Sequence, residues 1–276
     1  MREKKIWFIT GASRGFGRLW CEAALQRGDK VVATARDIAT LNVLVKSYGN
    51  LVLPLQLDVT DRQAVLDTMN QAHAHFDRID VVLNAAGYGY MGAVEEIEFE
   101  EAKANFETNF FGGLSVIQAA IPLMRKQKSG HILTVSSIGG VLSFPTGGIY
   151  TATKFAVEAL TEALAGEVAG LGIKVTIIEP GSFATGFGAS TKSAPGMEIY
   201  DPVRNAIRGS FKPSDIGEPS ATTAAIMSLV DANAPPLRLI LGATTLPKFT
   251  AAYESRLAEW NAWKEVSIAA HGNVPN

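Results

Sequence analysis

Thr10-Gly11-Ala12-Ser13-Arg14-Gly15-Phe16-Gly17 follows the apolar segment Ile6 to Ile9 and opens into a helix-like pattern from Leu19. A buried strand, a tight glycine turn and a helix N-terminus together suit a phosphate-bearing ligand, because free backbone N–H groups and the positive end of the helix dipole face the anion. Gly11 allows the tight turn, Gly15 lets the backbone approach a ligand, and Gly17 lets the helix pack close to the sheet. The spacing is G-x-x-x-G-x-G, not the G-x-G-x-x-G of the commonest dinucleotide fingerprint. Taken alone, such a run also reads as a glycine-punctuated loop with no ligand.

Working outward, Leu19 to Gln26 reads as an amphipathic helix stopped by Gly28, and Lys30 to Ala35 as a short buried strand. The helix Ile38 to Tyr48 ends at Gly49, and the strand Leu51 to Leu57 ends at Asp58. Thr60 and Gln63 read as a capping box for a helix through Phe76. Asp80 to Asn84, His131 to Ser136 and Lys174 to Glu179 are further strands, separated by helical stretches at Ala102 to Lys126 and Ile149 to Ala169. Apolar, β-branched strands alternating with helices predict a doubly wound, Rossmann-type α/β fold: about seven parallel strands in one domain, with helices on both faces. Pro180 to Pro213 loses the periodicity and is expected to be a lid or binding segment, assigned as 182–215 after a core of 4–181. The remainder, 216–276, reads as a helix (Ser220 to Val230), a seventh strand (Leu237 to Leu241) and a terminal helix (Pro247 to Ala270).

The chain has 276 residues, 47% of them hydrophobic, enough for one large core. A formal net charge of -2 gives no basic field, so nucleic acid is not an expected partner. The N-terminal Met1-Arg2-Glu3-Lys4-Lys5 and its apolar run imitate a signal peptide, but Gly11, Arg14 and Arg18 cut the run short. No stretch approaches the ~20 apolar residues of a membrane span. Cys21 is the only cysteine, which excludes an intrachain disulfide and suits a reducing cytoplasm; it is expected on the packed face of the first helix. His73 and His75 stand two apart on a helix, on different faces, so no metal site is expected there. Trp260 and Trp263 are expected in the core or at a subunit contact.

Tyr150 and Lys154 stand four apart and share one helix face. A phenol of pKa ~10 is a poor acid–base group at neutral pH, and a nearby ammonium favours its ionised form. Ser136 and Ser137 close the fifth strand, at the carboxyl edge where open α/β sheets bind ligands, and Tyr150 opens the next helix.

In these motifs the chain resembles the short-chain dehydrogenase/reductase family. The match rests on Thr10 to Gly17, Asp58, the NAAG run at Asn84 to Gly87, Asn109, Ser137, Tyr150-Thr151-Ala152-Thr153-Lys154, and Pro180-Gly181 followed by Thr185. Thr153 stands where the family more often has serine, so a hydroxyl is kept. The resemblance implies that Tyr150 exchanges the proton, that Lys154 lowers its pKa and binds the nicotinamide ribose, and that Ser137 hydrogen-bonds the substrate oxygen. Asn109 would hold a water linking Lys154 to solvent. The implied cofactor-binding set is Gly11, Ser13, Arg14, Gly15, Phe16, Gly17, Arg36, Asp58, Val59, Asn84, Ala85, Gly87, Tyr150, Lys154, Pro180, Gly181, Phe183 and Thr185.

Plainer readings stand beside these. Ser137 also begins a turn with Gly139-Gly140, Asn109 also reads as a satisfied polar residue in a helix, Asp58 as a turn cap, and Thr185 as a loop hydroxyl. NAD users tend to carry an acid at the end of the second strand. Here Ala35 and then Arg36 occupy that place, and with Arg14 they favour NADP(H) over NAD(H) through guanidinium contacts to a 2′-phosphate. Asp37 is the counter-argument, unless it caps the helix from Ile38.

The expected substrate pocket comprises Tyr88, Met91, Ser137, Leu142, Phe144, Phe187, Met197 and Tyr200, with Tyr90, Val141 and Phe183 nearby. It is mostly apolar and points to a hydrophobic ketone, aldehyde or alcohol. The alternatives are an NAD-dependent alcohol dehydrogenase, a non-catalytic NADP(H) sensor on the same fold, and a nucleotide-sugar epimerase, whose longer chain and G-x-x-G-x-x-G do not match. A homodimer or monomer is expected, with the terminal helix covering a second subunit surface.

Overall fold

Ile6–Thr10 forms β1, and all five residues are buried, as a strand covered on both faces requires. The computed structural model of the chain describes residues 3–210 and 212–272. The expectations for Met1 and Arg2, for position 211 within 182–215, and for 273–276 lie outside the described residues. In chain order, β1 is followed by α1 (Gly15–Gln26), β2 (Lys30–Ala35), α2 (Asn42–Tyr48), β3 (Val52–Gln56), α3 (Arg62–Phe76), β4 (Val81–Asn84) and β5 (Tyr90–Met91). Next come α4 (Phe99–Phe106), α5 (Gly112–Gln127), β6 (Gly130–Val135), α6 (Gly148–Val168), β7 (Ile173–Pro180), α7 (Phe187–Ser190), β8 (Lys192–Ser193) and α8 (Asp201–Ser210). The chain closes with α9 (Thr222–Asp231), β9 (Arg238–Leu241), α10 (Thr245–Ala262) and α11 (Lys264–Ala269).

Seven strands form one parallel sheet in the order β3-β2-β1-β4-β6-β7-β9, the doubly wound Rossmann-type arrangement. Ile9 pairs with Ala33 on one side and Leu83 on the other, which fixes β1 at the centre. The order of strands reverses at β1 and β4, so the crevice beyond their carboxyl ends is the natural ligand site.

The two-residue period of the strands divides the core. Trp7, Ile9, Val31, Ala33 and Leu83 pack with Trp20, Cys21, Leu44 and Ile226 from α1, α2 and α9. Phe8, Val32, Val82 and Ile132 pack with Met69, Val116 and Leu164 from α3, α5 and α6. Each such large side chain contributes about 1.5–3 kcal/mol by burial. Trp20 also anchors α1 to α9 through Nε1, which donates to Thr222 Oγ1 at 2.8 Å.

Several sequence expectations change. Asp61, not Thr60, caps α3 by accepting from Ala64 N at 2.9 Å; Thr60 is drawn instead to Asp58 Oδ1. Ala102 to Lys126 is not one regular helix, because a π-helical segment at Glu107–Phe111 separates α4 from α5. Pro180 to Pro213 is not structureless but holds α7, β8 and α8. The terminal helix breaks at Trp263, and Trp260 and Trp263 are 60% and 64% exposed, so neither lies in the core of this chain. Among the described residues no helix is long and apolar enough to cross a membrane.

Candidate active site

The glycine turn is built by close backbone contact. Gly11 has φ +71°, and a Cβ there would lie 3.1 Å from the backbone of Ala86; one on Gly17 would collide with Gly11 O. Ala12 N donates to Thr34 O at 3.0 Å, tying the turn to the end of β2. Arg14, the N-cap of α1, makes no side-chain cap, and the first turn carries no acid, so the helix end offers its N–H groups and positive dipole. No atom lies within 4 Å of where a Gly15 Cβ would stand. These features fit the diphosphate of a nicotinamide dinucleotide. Arg14 and Arg36 are both exposed at this corner of the sheet, whereas Ser13 is half-buried. Phe16 stacks on Trp20 at 4.7 Å and meets Phe183 edge-on at 5.5 Å.

The wall opposite the turn is held by a residue to which sequence reading assigned no role. Thr10 Oγ1 accepts from Ala85 N and Ala86 N at 3.0 and 3.1 Å and donates to Asn84 Oδ1 at 3.3 Å. Val59 is buried against Gly112, and Asp58 accepts from Thr60 N and Oγ1, the turn-cap arrangement. Asp37 likewise spends its carboxylate as a cap, accepting from Ala39 N at 3.0 Å.

Asn109 projects inward from the π segment and is buried. Nδ2 donates to Tyr88 O at 2.9 Å and Thr153 Oγ1 at 3.0 Å, and Oδ1 accepts from Tyr88 N at 3.0 Å. Single-turn π segments place a side chain that a regular helix would aim elsewhere. Thr153 Oγ1 also donates to Tyr150 O at 2.7 Å, so the threonine hydroxyl links Asn109 to the helix carrying Tyr150. A Cβ on Gly87 would lie 3.0 Å from Asn109 Oδ1 and 3.8 Å from Lys154 Nζ, which brings these three together.

Ser137 follows β6 and opens a turn in which its Oγ accepts from Gly139 N at 3.0 Å. Tyr150, at the start of α6, is buried, and a Cβ on Gly139 would lie 3.3 Å from its ring and 3.5 Å from Ser137 Oγ, which places phenol and hydroxyl around one turn. Burial pushes its pKa up to about 12, and the Ser137 hydroxyl only partly opposes this. Lys154 is also buried; burial pushes it down to about 8 while Glu158 holds it up. Its Nζ donates to Val135 O at 2.9 Å and stands 6.0 Å from the Tyr150 ring centroid. The ammonium is thus bonded to β6, and desolvation governs the phenol: Tyr150 is protonated rather than shifted down by Lys154.

Facing Tyr150, the Phe187 ring lies 5.3 Å away, centroid to centroid. Its segment is tied to 88–101 by the β5–β8 pairing of Tyr90 with Lys192 and Met91 with Ser193, and by Lys192 Nζ to Glu101 Oε2 at 2.6 Å. Tyr200 Oη donates to Glu95 Oε2 at 2.5 Å. Glu96, which sequence reading missed, is buried and accepts from Met197 N at 2.7 Å and Arg204 Nη1 at 2.6 Å. Met197 itself is 43% exposed. Leu142 and Phe144 are half-buried in the stretch after Gly140. Pro180 ends β7 and Gly181 follows it, its N donating to Leu241 O at 2.9 Å; Thr185 Oγ1 accepts from Phe187 N at 3.3 Å, the loop-hydroxyl arrangement. A groove of about 1020 Å³ between α10 and α11, lined by Leu257, Trp260 and Ile268, shares no residue with this site.

The short chain dehydrogenase family model matches residues 5–196, which contain the glycine turn, Asn109, Ser137, Tyr150 and Lys154. The chain belongs to the short-chain dehydrogenase family. This short-chain dehydrogenase is 40% identical over 271 residues to an oxidoreductase of Botryotinia fuckeliana, covering 96% of this chain and 99% of that protein. It is 36% identical over 245 residues to a 3-ketodihydrosphingosine reductase of Bacteroides thetaiotaomicron, covering 87% and 88%. The crystal structure of a short-chain dehydrogenase from Streptomyces avermitilis matches with TM-score 0.91 at 39% identity, over 96% of this chain and 99% of that one. The dehydrogenase is therefore an oxidoreductase, and its family uses NAD or NADP.

Proposed function

We propose that this short-chain dehydrogenase interconverts an apolar ketone or aldehyde and its alcohol with NADP(H). The observation that carries the reading is Tyr150: a buried, protonated phenol at the Ser137–Gly139 turn, one helical turn from a buried lysine. The nicotinamide, when bound, gives or takes the hydride.

Ser137 donates a hydrogen bond to the substrate oxygen, where negative charge grows during reduction. Tyr150 Oη gives its proton to that oxygen, and takes it back in the oxidising direction. Lys154, held by Val135 O, supplies the positive charge that stabilises the phenolate left behind and contacts the ribose. Asn109 fixes Tyr88 and Thr153 around Lys154 and positions the water that links the lysine to solvent.

Arg14 and Arg36 support NADP(H), since both are exposed at the corner where the 2′-phosphate would sit and Asp37 is committed to its cap. The core 4–181 binds the cofactor, and 182–215 acts as the substrate lid. Phe187 against Tyr150, together with Tyr88, Met91, Leu142 and Phe144, supports an apolar substrate. The Bacteroides relative is named as a reductase of a ketone, 3-ketodihydrosphingosine, which agrees with ketone reduction. The test is a panel of aromatic, steroidal and long-chain ketones with NADPH and NADH, followed by loss of reduced-nicotinamide absorbance. Turnover of an apolar ketone with NADPH preferred is expected; turnover of none, or of polar sugars alone, refutes the reading.

A further inference from the structure

Beneath the Ser137–Gly140 turn lies a buried acidic pair that the proposed reaction does not use. Glu158 is one helical turn beyond Lys154 on α6 and is 6% exposed; Glu179, on β7 directly before Pro180, is 1% exposed. Their carboxyl groups are within hydrogen-bonding reach of each other. A Cβ on Gly140 would strike Ser136 Oγ and come within 3.1 Å of Glu158 Oε1, so the turn lies directly against the carboxyl group. From β9, Arg238 Nε stands 3.3 Å from Glu158 Oε2 and 3.3 Å from Glu179 Oε1, and its Nη2 reaches Glu162 Oε2 at 2.5 Å. Glu158 Oε1 and both Glu179 carboxyl oxygens find no aligned N–H donor.

Two carboxylates in contact and out of water cannot both ionise cheaply beside a single guanidinium. One proton between them removes the repulsion and supplies the missing donor. Burial raises both groups, and the charge of Glu158 raises Glu179 further, to about 7.

We propose that Glu158 and Glu179 share one proton under the clamp of Arg238, and that this pair sets the charge of Lys154 across one turn of α6. Both are then positioning residues, a role that rests on Lys154 acting as described above. The charged or titratable groups around the pair and the lysine are Tyr150, Lys154, Glu158 and Glu162 on α6, Glu179 on β7 and Arg238 on β9. Val135 O and Asn109, the neighbours of Lys154 from β6 and the π segment, carry no charge. The two acids have different effects. Without Glu158, Lys154 loses its nearest carboxylate and gives up its proton at lower pH. Without Glu179, Glu158 stays ionised beside Arg238 and the lysine keeps that partner.

The test is the pH profile of kcat/KM for NADPH-dependent ketone reduction in wild type, Glu158→Gln and Glu179→Gln. Reduction requires charged Lys154, so activity falls on the alkaline side. We expect that limb to move down by about one pH unit in Glu158→Gln, roughly a tenfold loss above it, and to stay within a few tenths of a unit in Glu179→Gln, because Glu158 is already ionised at that pH. A limb that stays in place in Glu158→Gln while activity drops, or that moves as far in Glu179→Gln, overturns the proposal. A second measurement needs neither turnover nor a folded variant: carboxyl ¹³C NMR titration of wild type labelled at glutamate. One glutamate titrating near pH 7 is expected; every glutamate titrating in the ordinary carboxylate range overturns the shared proton. An enzyme without turnover refutes the functional reading instead, and the NMR titration then decides the pair.

Discussion

Replacing Asn109 by alanine separates its work as a clamp from the rest of the site. The amide makes four hydrogen bonds in a buried position, two to the backbone of Tyr88, one to Thr153 Oγ1 and a long one of 3.5 Å to Asn105 Oδ1. Each contributes about 0.5–1.5 kcal/mol net. Tyr88 O keeps a donor, Asn105 Nδ2 at 3.0 Å, but Tyr88 N loses its partner. The variant is therefore expected to lose about 2–4 kcal/mol, the upper part coming from that stranded N–H. With a urea m-value of about 3 kcal/mol/M, the midpoint falls by roughly 1 M, read by tryptophan fluorescence. Catalysis falls as well, because Gly87 and Lys154 share this corner. A stability loss under about 0.5 kcal/mol would refute the clamp, since even one of these bonds is worth that much.

Arg36→Ala should raise KM for NADPH by about 10- to 100-fold, the loss of one charge-assisted phosphate contact, and leave KM for NADH within about twofold; initial-rate kinetics with both cofactors decide it. Glu96→Gln removes the ion pair to Arg204, so trypsin should cut after Arg204 faster than in wild type at neutral pH. The Glu96 carboxyl is held down to about 2 by hydrogen bonds from Met197 N and Arg204, so its stabilisation is full above the ordinary value of 4.5 and disappears as pH falls towards 2; pepsin cleavage within 194–210 should rise across that window. Gly17→Ala should cost about 1–3 kcal/mol by forcing the turn apart and should abolish the thermal upshift that NADPH gives wild type.

The sheet was legible because buried parallel strands carry unbroken apolar runs and each connection carries a helical period. The shared helix face of Tyr150 and Lys154 was legible because their spacing is local, and the place of Ser137 because it follows an apolar strand. The π segment was not: Ala102 to Lys126 keeps an apolar pattern throughout, and one wider turn leaves no periodic mark around Asn109. The cap of α3 was misplaced by one residue because Thr60 and Asp61 are both good caps, and the Asp58 carboxylate takes the threonine. Two tertiary clusters were hidden for a different reason. Glu96 meets Arg204, and Glu158 meets Glu179 and Arg238, only after crossovers bring distant segments to one edge. The Lys154–Glu158 spacing was the local trace of the second cluster. The burial that holds the Tyr150 phenol protonated was hidden because sequence shows the neighbouring charge but not the desolvation around it.

The most direct measurement is the rate of NADPH oxidation by Tyr150→Phe against wild type, with an apolar ketone that wild type reduces. The phenylalanine keeps the packing against Phe187 and removes only the proton donor. Loss of about 10²- to 10⁴-fold in kcat, with NADPH still bound, is the predicted result. A variant that retains more than about a tenth of wild-type kcat would contradict Tyr150 as the acid–base group.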